Sequence, residues 1–212
     1  MSKILHYVFD PLCGWCYGAS GALTALADRT DVALHLLPSG LFAGEGARPM
    51  NDEFAAYAWS NDQRIEQLTG QSFTERYRSD VLADHQQMFD SGPATIALTA
   101  VALTAPERET QALKAIQLAR YVDGQDVTQI NTLVTLLSDL GLEQAAARLA
   151  RPDTELIDAN RNRVAHAQAL LQQFGARGVP SFILESEGHQ QLLHASAAFS
   201  NPQAFVAQLA ST

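Results

Sequence analysis

Two cysteines carry the clearest chemistry in this 212-residue chain, and they lie close together at positions 13 and 16. The stretch around them reads Asp-Pro-Leu-Cys-Gly-Trp-Cys-Tyr-Gly, and the chain has no other cysteine. Residues three positions apart lie on one face of a helix, so the two sulfur atoms can reach disulfide distance with little backbone movement. We therefore interpret Cys13 and Cys16 as a pair that switches between dithiol and disulfide.

Stability is a weak explanation for this pair. A bridge between Cys13 and Cys16 would close a very short loop, which has a small effect on chain entropy, and a reducing compartment keeps ordinary thiols reduced. Free N–H groups and the positive dipole end at a helix start favour the thiolate, which is the reactive form of cysteine. We predict that Cys13 is the nucleophile and that Cys16, one turn deeper, is the resolving thiol.

The elements that must position the pair are a strand and a helix. Residues 3–9 are rich in β-branched and aromatic types and stop at Asp10 and Pro11, which predicts a strand followed by a turn. Apolar residues then recur at spacings of three and four from Cys13 to about Arg29, which predicts a helix. Residues 32–37 predict a second strand, so the order indicates a right-handed unit with two parallel strands.

The middle of the chain predicts helices alone. From about residue 50 to residue 149, Ala, Leu, Gln and charged residues recur with helical spacing, and no segment there predicts a strand. Turn signals at glycines and prolines divide this block into separate helices. The predicted helices are 51–68, 74–87, 92–104, 107–121, 126–139 and 142–149.

The last sixty residues return to a mixed pattern. A long helix is predicted over 153–174, and strands over 181–185 and 190–194 form a predicted antiparallel hairpin. A final helix is predicted over 202–210, with Asn201 as its N-cap and Pro202 in its first turn.

Composition limits the partners of the protein. With 14 Lys and Arg against 23 Asp and Glu, the formal charge is −9, which argues against nucleic acid as a partner. The first residues lack the pattern of a secretory signal, and no run of about 18 apolar residues predicts a membrane span, so we expect a cytoplasmic protein. A zinc site made by the cysteines with His189 and His194 is disfavoured, because residues five apart on a strand point to opposite faces. We predict no metal and no cofactor.

At this point the sequence resembles a known family. A Cys-x-x-Cys turn between strand and helix, a helical insertion, and a Gly-Val-Pro loop before a hairpin and a terminal helix resemble the DsbA-like branch of the thioredoxin superfamily. The segment Asp10 to Gly18 is especially similar to its leaderless, FrnE-like members. The resemblance implies an α/β, thioredoxin-like fold with a large all-helical insertion. We expect residues 1–40 and 151–212 to form the thioredoxin-like domain and residues 41–150 the inserted helical domain.

The family pattern also implies a substrate-binding surface. It implies that Pro180 is cis and faces the cysteines, and that Val179 offers backbone hydrogen bonds to an extended substrate. Gly14 and Trp15, between the cysteines, complete the predicted substrate-binding set. Two alternatives stay open, since Pro180 could merely begin a strand and Trp15 could pack against the helical block. Met88 and Phe89 are candidates for the insertion's side of the cleft, although core packing is the favoured explanation for them.

The chain departs from the pattern at the proton acceptor. Thioredoxin-like proteins commonly place a buried carboxylate six residues before the first cysteine, where it can accept the proton of the resolving thiol. That position is Tyr7 here, and tyrosine is a poor base at neutral pH. Asp10 is the nearest acid, and either Asp10 or water is the candidate acceptor, although Asp10 could simply shape the turn before Pro11.

Three functions follow from these residues. The first is a thiol–disulfide oxidoreductase of the reductase or isomerase type that acts on protein or peptide disulfides, with glutathione as a further candidate partner. The second is a glutathione-dependent transferase or isomerase of small molecules, similar to kappa-class transferases and 2-hydroxychromene-2-carboxylate isomerases. Those enzymes usually have serine at the first cysteine position and no resolving thiol, so Cys16 favours the first function. The third is a partner-binding module that uses the cysteines as a redox sensor.

Overall fold

A computed structural model describes residues 3–27 and 29–209. Within them, four strands form the main sheet and two short strands form a separate ribbon. The strands are β1 Lys3–Phe9, β2 Val32–Pro38, β3 Arg48–Pro49, β4 Met88–Phe89, β5 Ser181–Ser186 and β6 His189–Leu192. The helices are α1 Gly14–Gly18, α2 Ser20–Leu26, α3 Asp52–Thr69, α4 Glu75–Tyr77, α5 Gly92–Thr104, α6 Glu109–Tyr121, α7 Ile130–Asp139, α8 Glu143–Ala150, α9 Thr154–Gln173, α10 Ser196–Ser200 and α11 Pro202–Gln208.

The main sheet has the order β2-β1-β5-β6, with β1 in the interior. Strands β1 and β2 are parallel, and β5 is antiparallel to both β1 and β6. The predicted parallel unit and the predicted C-terminal hairpin are therefore both confirmed. The pairing of Tyr7 with Phe182 and of Val8 with Ser181 brings the end of β1 next to the start of β5, so the segments that follow β1 and precede β5 lie at one edge.

Side chains of β1 alternate between two hydrophobic layers, as the pleat of a strand requires. Leu5, Tyr7 and Phe9 are fully buried in the larger core, which also contains residues of α2 and α11. Val8 points to the other face and packs in a smaller core with residues of α9. Helices therefore cover both faces of the sheet.

The central helices confirm most of the predicted block, and two details there are wrong. The helix predicted over 74–87 is only α4 and a π-helical turn at Arg78–Leu82. Asp84 then accepts a hydrogen bond from the Gln86 amide at 2.9 Å, which favours a turn over a continued helix. The chain leaves this turn as β4, which pairs antiparallel with β3, so the block does contain a short ribbon.

The ends of other predicted helices also shift. The helix predicted from Cys13 to Arg29 is interrupted at Ala19 and ends at Leu26. Helix α10 was not predicted at all. Asn201 does cap α11 by accepting a hydrogen bond from Ala204, whereas the predicted end at residue 210 lies outside the described residues. The domain boundaries at 40/41 and 150/151 stay predictions.

Candidate active site

A tight turn after β1 places Cys13 at the start of α1. The Cys13 amide donates to the Asp10 carbonyl at 3.1 Å, and the Leu12 amide donates to the Asp10 carboxylate at 2.9 Å. Cys13 has extended backbone angles and is the N-cap residue, and its carbonyl accepts from the Tyr17 amide at 3.0 Å. The turn at Asp10 therefore puts the first thiol at the open end of the helix.

The two predicted cysteines differ in their access to solvent. Both are free thiols, and 7% of Cys13 is exposed while Cys16 is fully buried. Burial raises the pKa of the Cys16 thiol well above its ordinary value, and a hydrogen bond and charge repulsion from Cys13 raise it further. A reagent in solution therefore meets Cys13, and Cys16 needs a proton acceptor before it can attack.

Asp10 is a buried acidic residue whose backbone lies against Cys16. Its backbone amide approaches Cys16 Sγ at 3.5 Å, and its side chain is fully buried. Burial raises the pKa of Asp10, while hydrogen bonds from Ser91 at 2.7 Å, from Leu12 and from the Phe42 amide at 3.1 Å oppose that rise. Asp10 thus shapes the turn, as predicted, and also ties it to the loop after β2 and to the start of α5.

Tyr7 occupies the position where the family pattern places a carboxylate, and it has a different role here. Its hydroxyl donates to the backbone carbonyl of Cys16 at 3.0 Å. Burial raises the pKa of Tyr7 well above 10, and the neighbouring Cys16 and Cys13 raise it further, so this phenol stays protonated. Tyr7 therefore anchors α1 on the sheet and accepts no proton from Cys16.

The loop before β5 faces the first cysteine. The peptide bond between Val179 and Pro180 is cis, which confirms the expectation taken from the family pattern. Cys13 Sγ lies 3.7 Å from the Val179 carbonyl oxygen. The loop and the accessible thiol are therefore neighbours, although they are 166 positions apart in sequence.

Gly14 and Trp15 line a cavity of about 280 Å³ that begins at Cys13. Trp15 is half-buried, and its indole packs edge-on against Phe199 of α10 at 5.2 Å between ring centroids. Leu12 of the turn before Cys13 also lines the cavity. The other walls come from the insertion and are mainly aromatic: Phe42, Phe54, Tyr57, Tyr77, Phe89 and Tyr121, with Arg48, Ala58, Asn61, Asp62 and Ile65. Phe89 thus faces the cleft, whereas Met88 lies outside the cavity and is 47% exposed.

The insertion holds the cysteine segment directly. The Tyr121 hydroxyl donates to the Leu12 carbonyl at 2.8 Å, next to Cys13. Helix α3 packs so closely on α1 that a Cβ atom on Gly14 would lie 2.4 Å from Asp62 Oδ1, and one on Gly18 would lie 2.6 Å from Ile65 Cγ2. These two glycines therefore allow the close approach of helix α3.

Comparison with known families decides the classification, since a family model for the DSBA-like thioredoxin domain matches residues 4–207. The chain belongs to the DSBA-like thioredoxin domain family. It is accordingly a thiol–disulfide oxidoreductase, with a thioredoxin fold and a helical insertion.

Solved structures of the DsbA-like fold agree with this classification. The chain is similar to the cytosolic disulfide reductase DsbM from Pseudomonas aeruginosa, with 34% identity, 99% and 100% of the two chains covered, and a TM-score of 0.87. A structure of the same enzyme with GSH has 31% identity, the same coverage and a TM-score of 0.82. A 2-hydroxychromene-2-carboxylate isomerase shares the fold alone, at 16% identity, 98% and 94% coverage and a TM-score of 0.57. A search of curated proteins finds no match.

Sequence reasoning missed a buried polar group in this DsbA-like protein. Asp62 of α3 is 4% exposed, Arg120 of α6 is 1% exposed, and both lie near Tyr77 at the inner wall of the cavity. The signal was present, because Asp62 falls between Ala58 and Ile65 at spacings of four and three, on the apolar face of the predicted helix. A charged residue on the apolar face of a helix indicates a role other than core packing.

The described part of the chain contains neither a metal-ligand cluster nor a membrane-spanning helix. Across residues 3–27 and 29–209, His, Cys, Asp and Glu side chains form no group of three or more that could hold a metal ion. None of the helices in these ranges is long and apolar enough to cross a membrane.

Proposed function

We propose that this protein is a cytoplasmic disulfide reductase in which Cys13 attacks a substrate disulfide and Cys16 resolves the mixed disulfide. The observation that carries the proposal is the unequal burial of the two thiols, with Cys13 open to a cavity and Cys16 fully enclosed one turn below it. The likeness to a cytosolic disulfide reductase over the full chain supports both the direction and the location.

The reaction has two exchange steps. The Cys13 thiolate forms a bond to one substrate sulfur while the substrate S–S bond breaks, and the other sulfur leaves as a thiol after it takes up a proton. The Cys16 thiolate then attacks Cys13 Sγ, and the second substrate sulfur leaves. The substrate gains two electrons and two protons, and the enzyme is left with a Cys13–Cys16 disulfide.

Asp10 is the proposed acceptor for the proton of Cys16. Its carboxyl is fully buried, and its charge raises the pKa of Cys16, so the two groups lie close enough to interact. The Asp10 backbone amide donates to Cys16 Sγ at 3.5 Å, which lowers the pKa of the thiol and stabilises its thiolate. Since Tyr7 stays protonated, Asp10 is the group of the turn that fits this step.

The proposed substrate surface consists of Gly14, Trp15, Val179 and Pro180. An extended peptide that places its disulfide over Cys13 lies along the Val179 backbone, because the Val179 carbonyl faces Cys13 Sγ at 3.7 Å. Trp15 offers an apolar wall to the cavity that Cys13 lines. Protein and peptide disulfides are therefore the proposed substrates.

Glutathione is the proposed second thiol partner, which returns the enzyme to its dithiol form. Two glutathione molecules reduce the Cys13–Cys16 disulfide and leave as oxidised glutathione. The cavity of about 280 Å³ beside Cys13 suits one arm of such a tripeptide, and Arg48 in its wall offers a positive charge to a carboxylate. The related reductase from Pseudomonas aeruginosa has been solved with GSH, which supports this choice.

The experiment combines activity and potential. Reduced wild-type protein is expected to reduce insulin and oxidised glutathione, and Cys13→Ser is expected to abolish both activities. A glutathione redox titration of the Cys13–Cys16 pair is expected to give a potential near the cytosolic poise of about −220 to −260 mV. Equal activity of Cys13→Ser and wild type would contradict the proposal, and a potential near about −120 mV, typical of a strong oxidant, would reverse its direction.

Glutathione-dependent transfer or isomerisation of small molecules gains no support beyond the shared fold. Such chemistry has no use for a resolving thiol, whereas Cys16 is buried close to Cys13 and interacts with it. Transfer activity that survives Cys16→Ser, together with an inability to reduce insulin, would favour that alternative.

A further inference from the structure

Asp62 is an acidic side chain enclosed between the insertion and the cysteine helix. It is 4% exposed and lies on α3, with Oδ2 accepting a hydrogen bond from the Tyr77 hydroxyl at 3.1 Å. Oδ1 points toward Gly14, where a Cβ atom would lie only 2.4 Å away. No donor among residues 3–27 and 29–209 reaches Oδ1, and Asp62 and Cys13 line the same cavity. The Asp62 carboxyl therefore lies against Gly14, in the wall of the cavity that Cys13 also lines.

The surroundings hold this carboxyl without neutralising it. The Arg120 guanidinium is 1% exposed and lies 5.5 Å from the ring centre of Tyr77 and 5.3 Å from that of Phe89. It forms no ion pair with Asp62 within the described ranges, and its Nε atom has no hydrogen-bond partner. Packing alone does not explain the acid, because an asparagine of the same shape would keep the Tyr77 hydrogen bond without the cost of a buried charge.

We propose that Asp62 is the general acid of the substrate-side exchange, which gives its proton to the sulfur that leaves the substrate. The inference rests on the proposed function and adds a residue to that site. Asp62 is thereby separated from Asp10, which serves Cys16 on the other side of the helix start.

The proton and electron balance of the step is complete. Asp62 enters the step in its protonated form, and the Cys13 thiolate forms a bond to one substrate sulfur. The substrate S–S bond breaks, its electron pair stays on the leaving sulfur, and protonated Asp62 gives the proton to that sulfur. Asp62 ends the step as a carboxylate, and the leaving group is a neutral thiol.

Burial prepares Asp62 for proton exchange near neutral pH. Desolvation raises the pKa of Asp62 to about 7, although the Tyr77 hydrogen bond and the charge of Arg120 lower it. The titratable and charged groups that line its cavity are Cys13, Arg48, Tyr57, Tyr77 and Tyr121, and the Arg120 guanidinium acts on it from α6. A general acid works best when its pKa lies near the working pH.

The test uses two disulfides that differ in their need for a proton. Oxidised glutathione releases an alkyl thiol, which leaves well only when it is protonated or stabilised, whereas the aromatic disulfide of thionitrobenzoate releases an acidic thiol that needs no proton. Asp62→Asn is expected to lower the second-order rate constant between the pre-reduced protein and oxidised glutathione about 100-fold in a single turnover, the low end for general acid–base catalysis. The rate with the aromatic disulfide is expected to stay within about 3-fold of wild type, because that leaving group needs no proton from Asp62.

Asp52→Asn is the matched control, because Asp52 is an exposed acid on the same helix. This variant is expected to match wild type with both disulfides.

The pH profile gives a second readout, which does not depend on Asp62→Asn. In the wild type, the rate with oxidised glutathione is expected to fall above pH about 7 as Asp62 loses its proton. Tyr77→Phe removes a donor that stabilises the carboxylate, so the pKa of Asp62 rises and this fall moves to higher pH.

The outcomes distinguish a failure of the Asp62 role from a failure of the reductase function. A loss restricted to oxidised glutathione in Asp62→Asn, or a shifted alkaline limb in Tyr77→Phe, supports the role of Asp62. Equal losses with both disulfides, or no loss with either, overturn it while the reductase function stands. A wild type that reduces neither disulfide faster than Cys13→Ser overturns the proposed function together with this inference.

Discussion

The buried Asp62 carboxyl predicts a pH-dependent cost in stability that can be measured without any substrate. Its pKa is about 7 in the folded protein against an ordinary 3.8, chiefly because the folded protein removes it from water. A pKa that folding raises means that the folded state holds the proton more tightly than the unfolded state. The contribution of Asp62 to the free energy of unfolding is therefore largest below pH about 4, and it is lost as the pH rises to about 7.

The size of this cost follows from linkage. Each pKa unit between the folded and unfolded values corresponds to about 1.4 kcal/mol, so the free energy of unfolding falls by about 4 kcal/mol through this group across that range. Little of this is screened by solvent, since Asp62 is 4% exposed. The variant Asp62→Asn has no group to titrate at this position and escapes the loss.

The assay is urea unfolding of reduced wild type and Asp62→Asn between pH 4 and pH 8. Relative to the wild type, the free energy of unfolding of the variant is expected to rise by about 1.4 kcal/mol per pH unit up to pH about 7, with no further rise above it. Asp52→Asn, whose side chain is 97% exposed, is the control and is expected to show no such slope. A pH-independent difference between Asp62→Asn and wild type would refute the reasoning, because it would mean that Asp62 is hydrated in the folded state.

Two further predictions concern the elements that hold the cysteine turn. Gly18→Ala is expected to lower the free energy of unfolding by up to about 2 kcal/mol, because overpacking against Ile65 at 2.6 Å costs about 1–3 kcal/mol and the helix gains only about 1 kcal/mol from alanine. Calorimetry of the variant checks this, and a stabilised protein would contradict the close packing. Ser91→Ala removes the 2.7 Å hydrogen bond to Asp10 and is expected to cost about 1.5–3 kcal/mol in urea unfolding. The same variant is expected to raise the pKa of Asp10, since this bond lowers it, and an unchanged stability would show that Ser91 does not support the turn.

Local sequence signals were sufficient for the elements next to the cysteines. The strand over 3–9, the parallel strand after it and the hairpin near the C-terminus each have a short apolar run bounded by turn residues, and all are confirmed. The long central helices also follow from their periodicity. The segment 74–87 was predicted wrongly because its helical spacing competes with the Asp84 turn, and pairing with Arg48 and Pro49 decides the outcome. That partner is about forty residues away, so no local pattern reveals it.

The candidate site was predictable only where it is continuous in sequence or carried by family resemblance. Cys13 and Cys16 follow from their spacing, and the cis bond before Pro180 followed from the resemblance. The contact of Asp10 with Ser91 joins residues 81 positions apart and could not be derived from the sequence. Asp62 belongs to the same class, because its position on an apolar helix face is visible in the sequence but its neighbour Gly14 is not.

The most direct test of the central claim is a trapping experiment at Cys13. When Cys16→Ser protein is mixed with oxidised glutathione or a disulfide peptide, intact-mass and peptide-mass analysis is expected to show one stable mixed disulfide at Cys13, since no thiol remains to resolve it. Wild type under the same conditions is expected to give free thiol product and the Cys13–Cys16 disulfide. Absence of any adduct at Cys13 in the Cys16→Ser protein, despite full folding, would contradict the account.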